Sequence, residues 1–269
     1  MKLRNLKIFC VTNKNLNLTK NFPYQIAGVG KAIFPNHYLR ADKNDNIFYK
    51  EKNYSELTFH YWFWKNKLRN LKKNNWIGFC QKRRFWIKKG INTKEINKKN
   101  LHKYLLTKLP DDFNKYESII CEPIHVNKLK KMKLLKRGIK NILKNPLVFF
   151  FNSKQTISLH FDMHHGYGNL YKAINYLPVK ERFDFKRYVD TSISFNPNIM
   201  FITKTTIANK WFKDLFRWLF KCEKAFKFKN LKGYDTERLY AYLAERYLSY
   251  WFKTKTKYLE WPIVTLGDR

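Results

Sequence analysis

Apolar positions along the chain follow two different periods. Short unbroken or alternating runs at residues 7–12, 76–80, 118–121, 147–151 and 199–203 predict strands, since a strand covered on both faces reads as a brief continuous apolar segment. Between these runs the spacing lengthens. Leu57, Tyr61, Trp64 and Leu68 recur at i, i+4, i+7 and i+11, and Trp211, Leu215, Trp218, Leu219 and Cys222 repeat the stripe, so two helices are expected to bury aromatic-rich faces. A third helix is expected after the turn Lys232-Gly233-Tyr234. There Asp235 is placed to cap the free amides, and the stripe continues through Leu239, Tyr242, Leu243, Tyr247, Tyr250 and Trp251.

Strands separated by helices predict an α/β layer fold with a mainly parallel central sheet. No break in composition divides residues 1–269, so one domain is expected, and no internal repeat is visible. Residues 88–100 are dense in Lys and Asn, lack an apolar period and predict a solvated basic loop. No window of about 18 uncharged apolar residues exists to form a spanning helix. The N-terminal Met1-Lys2-Leu3-Arg4-Asn5-Leu6-Lys7 is basic but leads into an apolar stretch, 8–12, too short for a secretory signal. A cytoplasmic protein is expected. Its four cysteines, Cys10, Cys80, Cys121 and Cys222, form no C-x-x-C pair and are read as buried free thiols.

Charge changes this picture. Fifty-five Lys and Arg against 20 Asp and Glu give a formal net charge of +35, which points to a polyanionic partner, either nucleic acid or an anionic membrane surface. Lys, Asn, Ile, Phe and Tyr all have A/T-rich codons, so base composition accounts for part of the excess. No nucleic-acid motif accompanies the charge, and nucleic acid is not the expected partner. A non-catalytic basic protein that binds nucleic acid or a membrane surface stands as the alternative to an enzyme.

In open α/β sheets ligands bind beyond the carboxyl ends of strands, and three such ends carry chemistry. The first is Thr12-Asn13-Lys14, a polar group able to contact a base or ribose or simply to leave the strand. The second is Gln81-Lys82-Arg83-Arg84, where planar guanidinium donors match phosphate oxygens in pairs, although three cations in so basic a chain also suit a solvated surface. The third is His160-Phe161-Asp162-Met163-His164-His165-Gly166-Tyr167-Gly168, read as following the 147–151 strand. Its histidines and carboxylate suit a general base, a metal or local turn bonds. Gly28-Val29-Gly30 lacks the third glycine of a dinucleotide fingerprint, and Walker A, H-E-x-x-H and G-x-S-x-G patterns are absent. Asp184 in Phe183-Asp184-Phe185 lacks the partner of an Asp-x-Asp pair, and Asp42 and Asp45 have the wrong spacing, so no metal or other cofactor is expected.

Several of these residues stand in an order that resembles a known family. Val11-Thr12-Asn13-Lys14, Gln25-Ile26-Ala27-Gly28, Asp45-Asn46-Ile47, Tyr54-Ser55-Glu56-Leu57-Thr58 and Tyr61-Trp62-Phe63-Trp64-Lys65-Asn66 follow one another as in the bacterial glycosyltransferase-like proteins of capsule and exopolysaccharide clusters, domain of unknown function 4422. Trp76-Ile77-Gly78-Phe79-Cys80-Gln81-Lys82-Arg83-Arg84-Phe85 is similar to the family's next strand. Asn198-Ile199-Met200-Phe201-Ile202-Thr203-Lys204, Gly233-Tyr234-Asp235 and Ala244-Glu245-Arg246-Tyr247-Leu248 resemble its later motifs. Gln81 and Asn13 stand where the family has histidines. Residues 155–195 follow no family motif and are the expected seat of acceptor specificity.

The resemblance implies a GT-A-like, Rossmann-like fold that moves a sugar, as a hexosyltransferase would, from a nucleotide-diphosphate sugar to a capsule, exopolysaccharide or O-antigen type glycan. That acceptor is free or lipid-linked, at the inner membrane face, and inversion or retention is left open. Arg83 and Arg84 occupy the strand end where such folds often carry a metal-binding Asp-x-Asp, so they are candidates to replace the metal on the departing diphosphate. By the same resemblance Thr12, Asn13, Lys14, Asp45, Asn46, Glu56, Trp62 and Lys65 are expected near the donor, although Trp62 also suits the core and Lys65 a solvated helix end. An inverting transfer needs a base, for which Asp162, His164 and Glu245 are the candidates, with Arg246 an obvious partner for Glu245.

Overall fold

A computed structural model describes residues 6–16, 18, 21–73 and 75–267; within the basic N-terminal stretch, Met1 to Asn5 lie outside the described residues. The strands are β1 (Leu6–Thr12), β2 (Gln25–Gly28), β3 (Leu39–Arg40), β4 (Trp76–Gln81), β5 (Arg84–Trp86), β6 (Ser118–Cys121), β7 (Ile124–His125), β8 (Ser194–Phe195), β9 (Phe201–Lys204), β10 (Tyr258–Trp261) and β11 (Ile263–Thr265). The chain folds as two compact units whose segments alternate in sequence. Met1–Glu122, Asn198–Asp214 and Trp251–Arg269 form the first; Pro123–Pro197 and Leu215–Tyr250 form the second. Two of the four boundaries, 214/215 and 250/251, fall inside the helices Thr205–Phe226 and Leu239–Lys255, where no shift in composition marks them.

The first unit is built on one sheet in the order β10-β6-β9-β4-β1-β2-β3, with β5 joined to β4 and β11 to β5. It is mainly parallel: β1 pairs parallel with β2 and β4, β2 with β3, and β10 with β6, while β9 runs antiparallel between β4 and β6. The alternation of side chains across a strand decides what each face buries. Phe9 and Phe79 point to one side, where they meet Phe59 and Phe63 of the helix Leu57–Asn66 at ring separations of 4.7 to 6.3 Å. Ile8, Cys10, Trp76 and Cys80 point to the other, into a core with Trp86, Ile119, Met200, Ile202 and Trp261. Position 78 shares that second face and is glycine because a Cβ there would stand 2.8 Å from Ile202 and 3.1 Å from Ile8. Each fully buried aromatic or branched side chain in these layers is worth about 1.5–3 kcal/mol. Two of these indoles have their donors satisfied, Trp86 by the Phe79 carbonyl at 3.0 Å and Trp261 by that of Ile87 at 2.7 Å, whereas Trp76 Nε1 is buried without a hydrogen-bond partner.

The second unit is helical apart from the two-stranded pair β7–β8. Its helices are Lys131–Lys144, Leu147–Phe150, Ile157–His165, Asn169–Ile174 and Val179–Thr191, joined by the later part of Thr205–Phe226, the turn Tyr234–Glu237 and the earlier part of Leu239–Lys255. Trp218 anchors this core by donating to the Ala173 carbonyl at 2.8 Å.

Four expectations are corrected. Residues 147–151 are not a strand but the helical turn Leu147–Phe150: Pro146, with φ −58°, suits a helix start, the Asn145 side chain accepts the Leu147 amide at 3.2 Å, and only Val148 is buried. The histidine-rich segment therefore follows no strand end and belongs to the helix Ile157–His165. Nor does Asp235 cap a helix. Gly233 occupies that position, and Asp235 pairs with Arg137 at 3.3 Å. The helical stripe breaks at Arg238, with Leu239–Lys255 a separate helix. The other predicted strands are found as β1, β4, β6 and β9 and the first two predicted helices as Leu57–Asn66 and Thr205–Phe226, and all four cysteines are free and buried.

His60 sits among Phe79, Phe201 and Phe212 with centroid separations of 4.4, 6.1 and 5.9 Å, its Nδ1 is buried without a hydrogen-bond partner, and burial pushes its pKa down to about 3. An unfolded histidine titrates near pH 6.5, so between about pH 6.5 and 3 the unfolded chain binds a proton that the folded chain refuses. The stability tied to His60 is complete above that window and is lost as pH falls through it. Urea melts across this range should show His60→Phe with a pH slope shallower by up to about one proton. An unchanged slope would contradict this account of the buried ring.

Candidate active site

Strand direction decides which groups meet in the first unit. The parallel strands β4, β1, β2 and β3 bring their C-terminal ends to one edge, where Val11 pairs with Gln81, Thr12 with Gly28 and Gly28 with Arg40. Thr12 is buried, and its hydroxyl donates to the Lys14 carbonyl at 2.6 Å and accepts the Lys14 amide at 3.1 Å. It shapes the exit loop. Beyond it Asn13 is half-buried and accepts a hydrogen bond from Lys82, while Lys14 is exposed.

Lys82 and Arg83 form a two-residue hairpin between β4 and β5, in which Gln81 pairs with Arg84. The turn is tied down by the Lys82 amide on the Val11 carbonyl at 2.9 Å and by the Leu266 amide on the Arg83 carbonyl at 2.6 Å. Arg83 takes a left-handed φ of 72°, a conformation that costs a non-glycine residue about 1–2 kcal/mol. Its side chain is exposed, whereas that of Arg84 is half-buried and donates to Gln81 Oε1 at 3.0 Å. Gln81 in turn donates to Glu56. An amide at position 81 thus accepts from a guanidinium on one side and donates to a carboxylate on the other, so Arg84, Gln81 and Glu56 form one chain.

The end of β3 supplies a residue that the sequence reading missed. Arg40 lies 4.8 Å over the Phe34 ring and 5.5 Å over Phe48, and donates through Nη2 to the Gly30 carbonyl at 3.1 Å. Its Nε is 3.5 Å from Asp42, while Nη1 is buried with no hydrogen-bond partner. Phe34 fits there because Gly28 has no side chain: a Cβ would stand 2.7 Å from the ring. Oε1 of Glu51, whose carboxyl borders Gly30, is likewise buried without a partner. Such unmet buried groups cost about 1–3 kcal/mol each.

Asp45, Asn46, Trp62 and Lys65 come together as a clamp between a loop and the helix Leu57–Asn66. Asp45 accepts from Tyr61 at 3.0 Å and lies 3.8 Å from Lys65, Trp62 donates to the Lys43 carbonyl at 2.9 Å, and Asn46 closes its own turn onto Phe48 at 3.0 Å. Trp62 is buried. Burial and the Asp45 bond push the Tyr61 phenol up to about 12. These contacts hold the loop that follows β3.

In the second unit the three base candidates separate. Asp162 and His164 are two residues apart on one helix, about 200° around its axis. Asp162 borders a cavity of about 660 Å³ together with Asn141, Lys144, Ser158, Tyr171 and Asp190. It accepts from Asn141 at 2.8 Å and from the Gly168 amide at 2.9 Å, and burial raises its pKa. Tyr171 faces the same cavity and donates to Asp190 at 2.6 Å. His164 instead stacks on His160 at 4.4 Å with its Nδ1 2.8 Å from the His160 carbonyl, and burial lowers its pKa. Glu245 pairs with Arg246, which is fully buried, lies 3.8 Å over Phe195 and reaches His160 at 3.3 Å. The cavity residues other than Asp162 carry no sequence motif.

No curated protein matches this sequence. The fold is similar to that of the solved apo structure of WbbM, a bifunctional glycosyltransferase, with a TM-score of 0.69 and 19% identity over 98% of this chain. The chain spans 46% of the length of that protein. Residues 7–256 match the model of a family described as domain of unknown function DUF4422. With that match running through β1, the strand-end loops and both units, the chain belongs to the DUF4422 family.

Proposed function

We propose that the chain is a glycosyltransferase, of the hexosyltransferase class, that moves a sugar from a nucleotide-diphosphate donor to a growing capsule, exopolysaccharide or O-antigen type glycan, free or lipid-linked, at the cytoplasmic membrane face. The observation that carries this reading is the shared edge of four parallel strand ends, at which Arg40, Lys82, Arg83 and Arg84 collect beside the loop Thr12-Asn13-Lys14. Expelling a nucleoside diphosphate builds negative charge on the leaving phosphate, and fixed cations already in place lower that barrier without reorganisation. Arg84, held by Gln81, is the principal donor to the pyrophosphate and Arg83 its neighbour, with no divalent metal required. Arg40, stacked on Phe34 at the end of β3, suits the nucleoside end. Asn13 and Lys14 line the approach, Glu56 orients Gln81 and thereby Arg84, and Asp45, Asn46, Trp62 and Lys65 hold the neighbouring loop. The fold shared with a bifunctional glycosyltransferase supports the same assignment.

For the base we put forward Asp162. Glu245 is engaged by Arg246 and His164 turns one ring nitrogen to its own helix, whereas Asp162 borders a cavity, and its raised pKa favours taking up a proton. The cavity's polar lining suits a sugar hydroxyl.

Arg84→Ala should lower turnover of a nucleotide sugar by about 10²–10³-fold, the usual cost of deleting a preorganised donor to the leaving group. The same variant should lose most of the melting-temperature rise produced by UDP or another nucleoside diphosphate. Arg83→Gly should weaken UDP binding without lowering the melting temperature, because glycine accepts the left-handed turn. EDTA should leave activity intact. Turnover abolished by EDTA, or unaffected in the Arg83 and Arg84 variants, would contradict the metal-free site.

Asp162→Asn should reduce turnover by about 10²–10⁴-fold while the UDP-dependent thermal shift remains. Near-normal turnover in that variant would remove Asp162 from the reaction.

A further inference from the structure

Apart from Asn141 and Lys144, which border the Asp162 cavity, the helix Lys131–Lys144 and the turn after it carry an exposed surface that the proposed transfer does not employ. Around its axis the residues fall into three groups. Leu134 and Gly138 are buried, and Leu134 packs with Val148, Leu159 and Met163 in a small core beneath the helix. Met132, Leu135, Ile139 and Leu143, at i, i+3, i+7 and i+11, share another face and are 65%, 42%, 47% and 77% exposed. Leu147, Phe150 and Phe151 continue the exposed apolar surface. Lys133, Lys136, Lys140 and Lys144 form a third, exposed band along the same helix. No Asp or Glu occurs between Glu122 and Asp162.

Isolated exposed apolar residues are ordinary, but seven gathered on one helix and its following turn mark an interaction surface. Charge identifies its occupant. A second copy of the chain would bring another +35 against the same lysines, whereas an anionic surface would be drawn to them. The helix is about 21 Å long, and no described helix is long and apolar enough to cross a membrane. An exposed apolar stripe with a lysine band beside it is the pattern of a helix lying flat in a bilayer interface, its lysine stems reaching up to the headgroups.

We propose that Lys131–Lys144 and Leu147–Phe151 form an interfacial anchor for anionic lipid, with Met132, Leu135, Ile139, Leu143 and Phe150 entering the acyl boundary and Lys133, Lys136 and Lys140 meeting the phosphates. The anchor rests on the reading above only for its placement of the enzyme beside a lipid-linked acceptor. Its test needs no turnover.

The full chain should sediment with vesicles of phosphatidylcholine and phosphatidylglycerol and not with phosphatidylcholine alone. Replacing Lys133, Lys136 and Lys140 by Gln should weaken that binding roughly tenfold or more. Ile139→Ser, Leu143→Ser and Phe150→Ser combined should abolish it without changing the melting temperature or the UDP-induced shift, because all three side chains are exposed. Since the four native cysteines are buried, a Leu143→Cys variant can be labelled selectively with an environment-sensitive dye, whose emission should shift to the blue on vesicles. Absent vesicle binding, binding unaffected by the three serine substitutions, or a stripe-dependent dimer in light scattering would each overturn the anchor. A retained UDP shift in that event would leave the donor site standing.

Discussion

Parallel pairing of β1 with β2 on one side and β4 on the other is the constraint on which the functional reading depends. Three neighbouring strands that run the same way must end on the same edge, and the register then sets Thr12 beside Gly28, Gly28 beside Arg40, and Val11 beside Gln81. A slip of one residue would reverse every side chain of a strand between its two apolar layers, sending Phe79 toward the face now filled by Trp76 and Cys80. The core therefore fixes the position of the strand-end loops, and those loops carry the charge. What the site adds is local: the Lys82-Arg83 hairpin, the Arg84–Gln81–Glu56 chain and the Arg40 guanidinium stacked on Phe34.

Those additions draw on the same electrostatic resource in different ways. Arg84 is half-buried and held by a neutral amide, so its charge remains available to a ligand. Arg246 is fully buried, paired with Glu245 and packed over Phe195, which suits a structural role in the second unit. The lysine band on Lys131–Lys144 is solvated and beside an apolar stripe, which suits a broad anionic surface. One net charge of +35 thus divides into a site, a brace and an anchor.

Much of the sheet was legible because β1, β4 and β6 are near-continuous apolar runs, the mark of strands covered on both faces. Leu147–Phe150 carries the same signal and is a helical turn, since four apolar residues are too few to distinguish the two periods and Asn145-Pro146 decides the matter locally. Arg83, Arg84 and the Thr12 loop were visible as strand exits, and Gln81 with Glu56 through a family resemblance. Arg40 was not, because β3 is two residues long and has no period to announce its end. The cavity around Asp162 was hidden for a different reason: Asn141, Tyr171 and Asp190 come from three separate helices. The helix Lys131–Lys144 was legible in principle, since Met132, Leu135, Ile139 and Leu143 recur at helical spacing; that this stripe faces solvent is shown only by the structure.

The most direct measurement is a crystal structure of the chain with UDP bound. The account predicts the pyrophosphate at the shared strand-end edge, within hydrogen-bond reach of the Arg84 guanidinium and beside Arg83, with the nucleoside directed toward Arg40. A pyrophosphate lodged away from that edge, or held through a metal ion on carboxylates with both arginines turned aside, would contradict it.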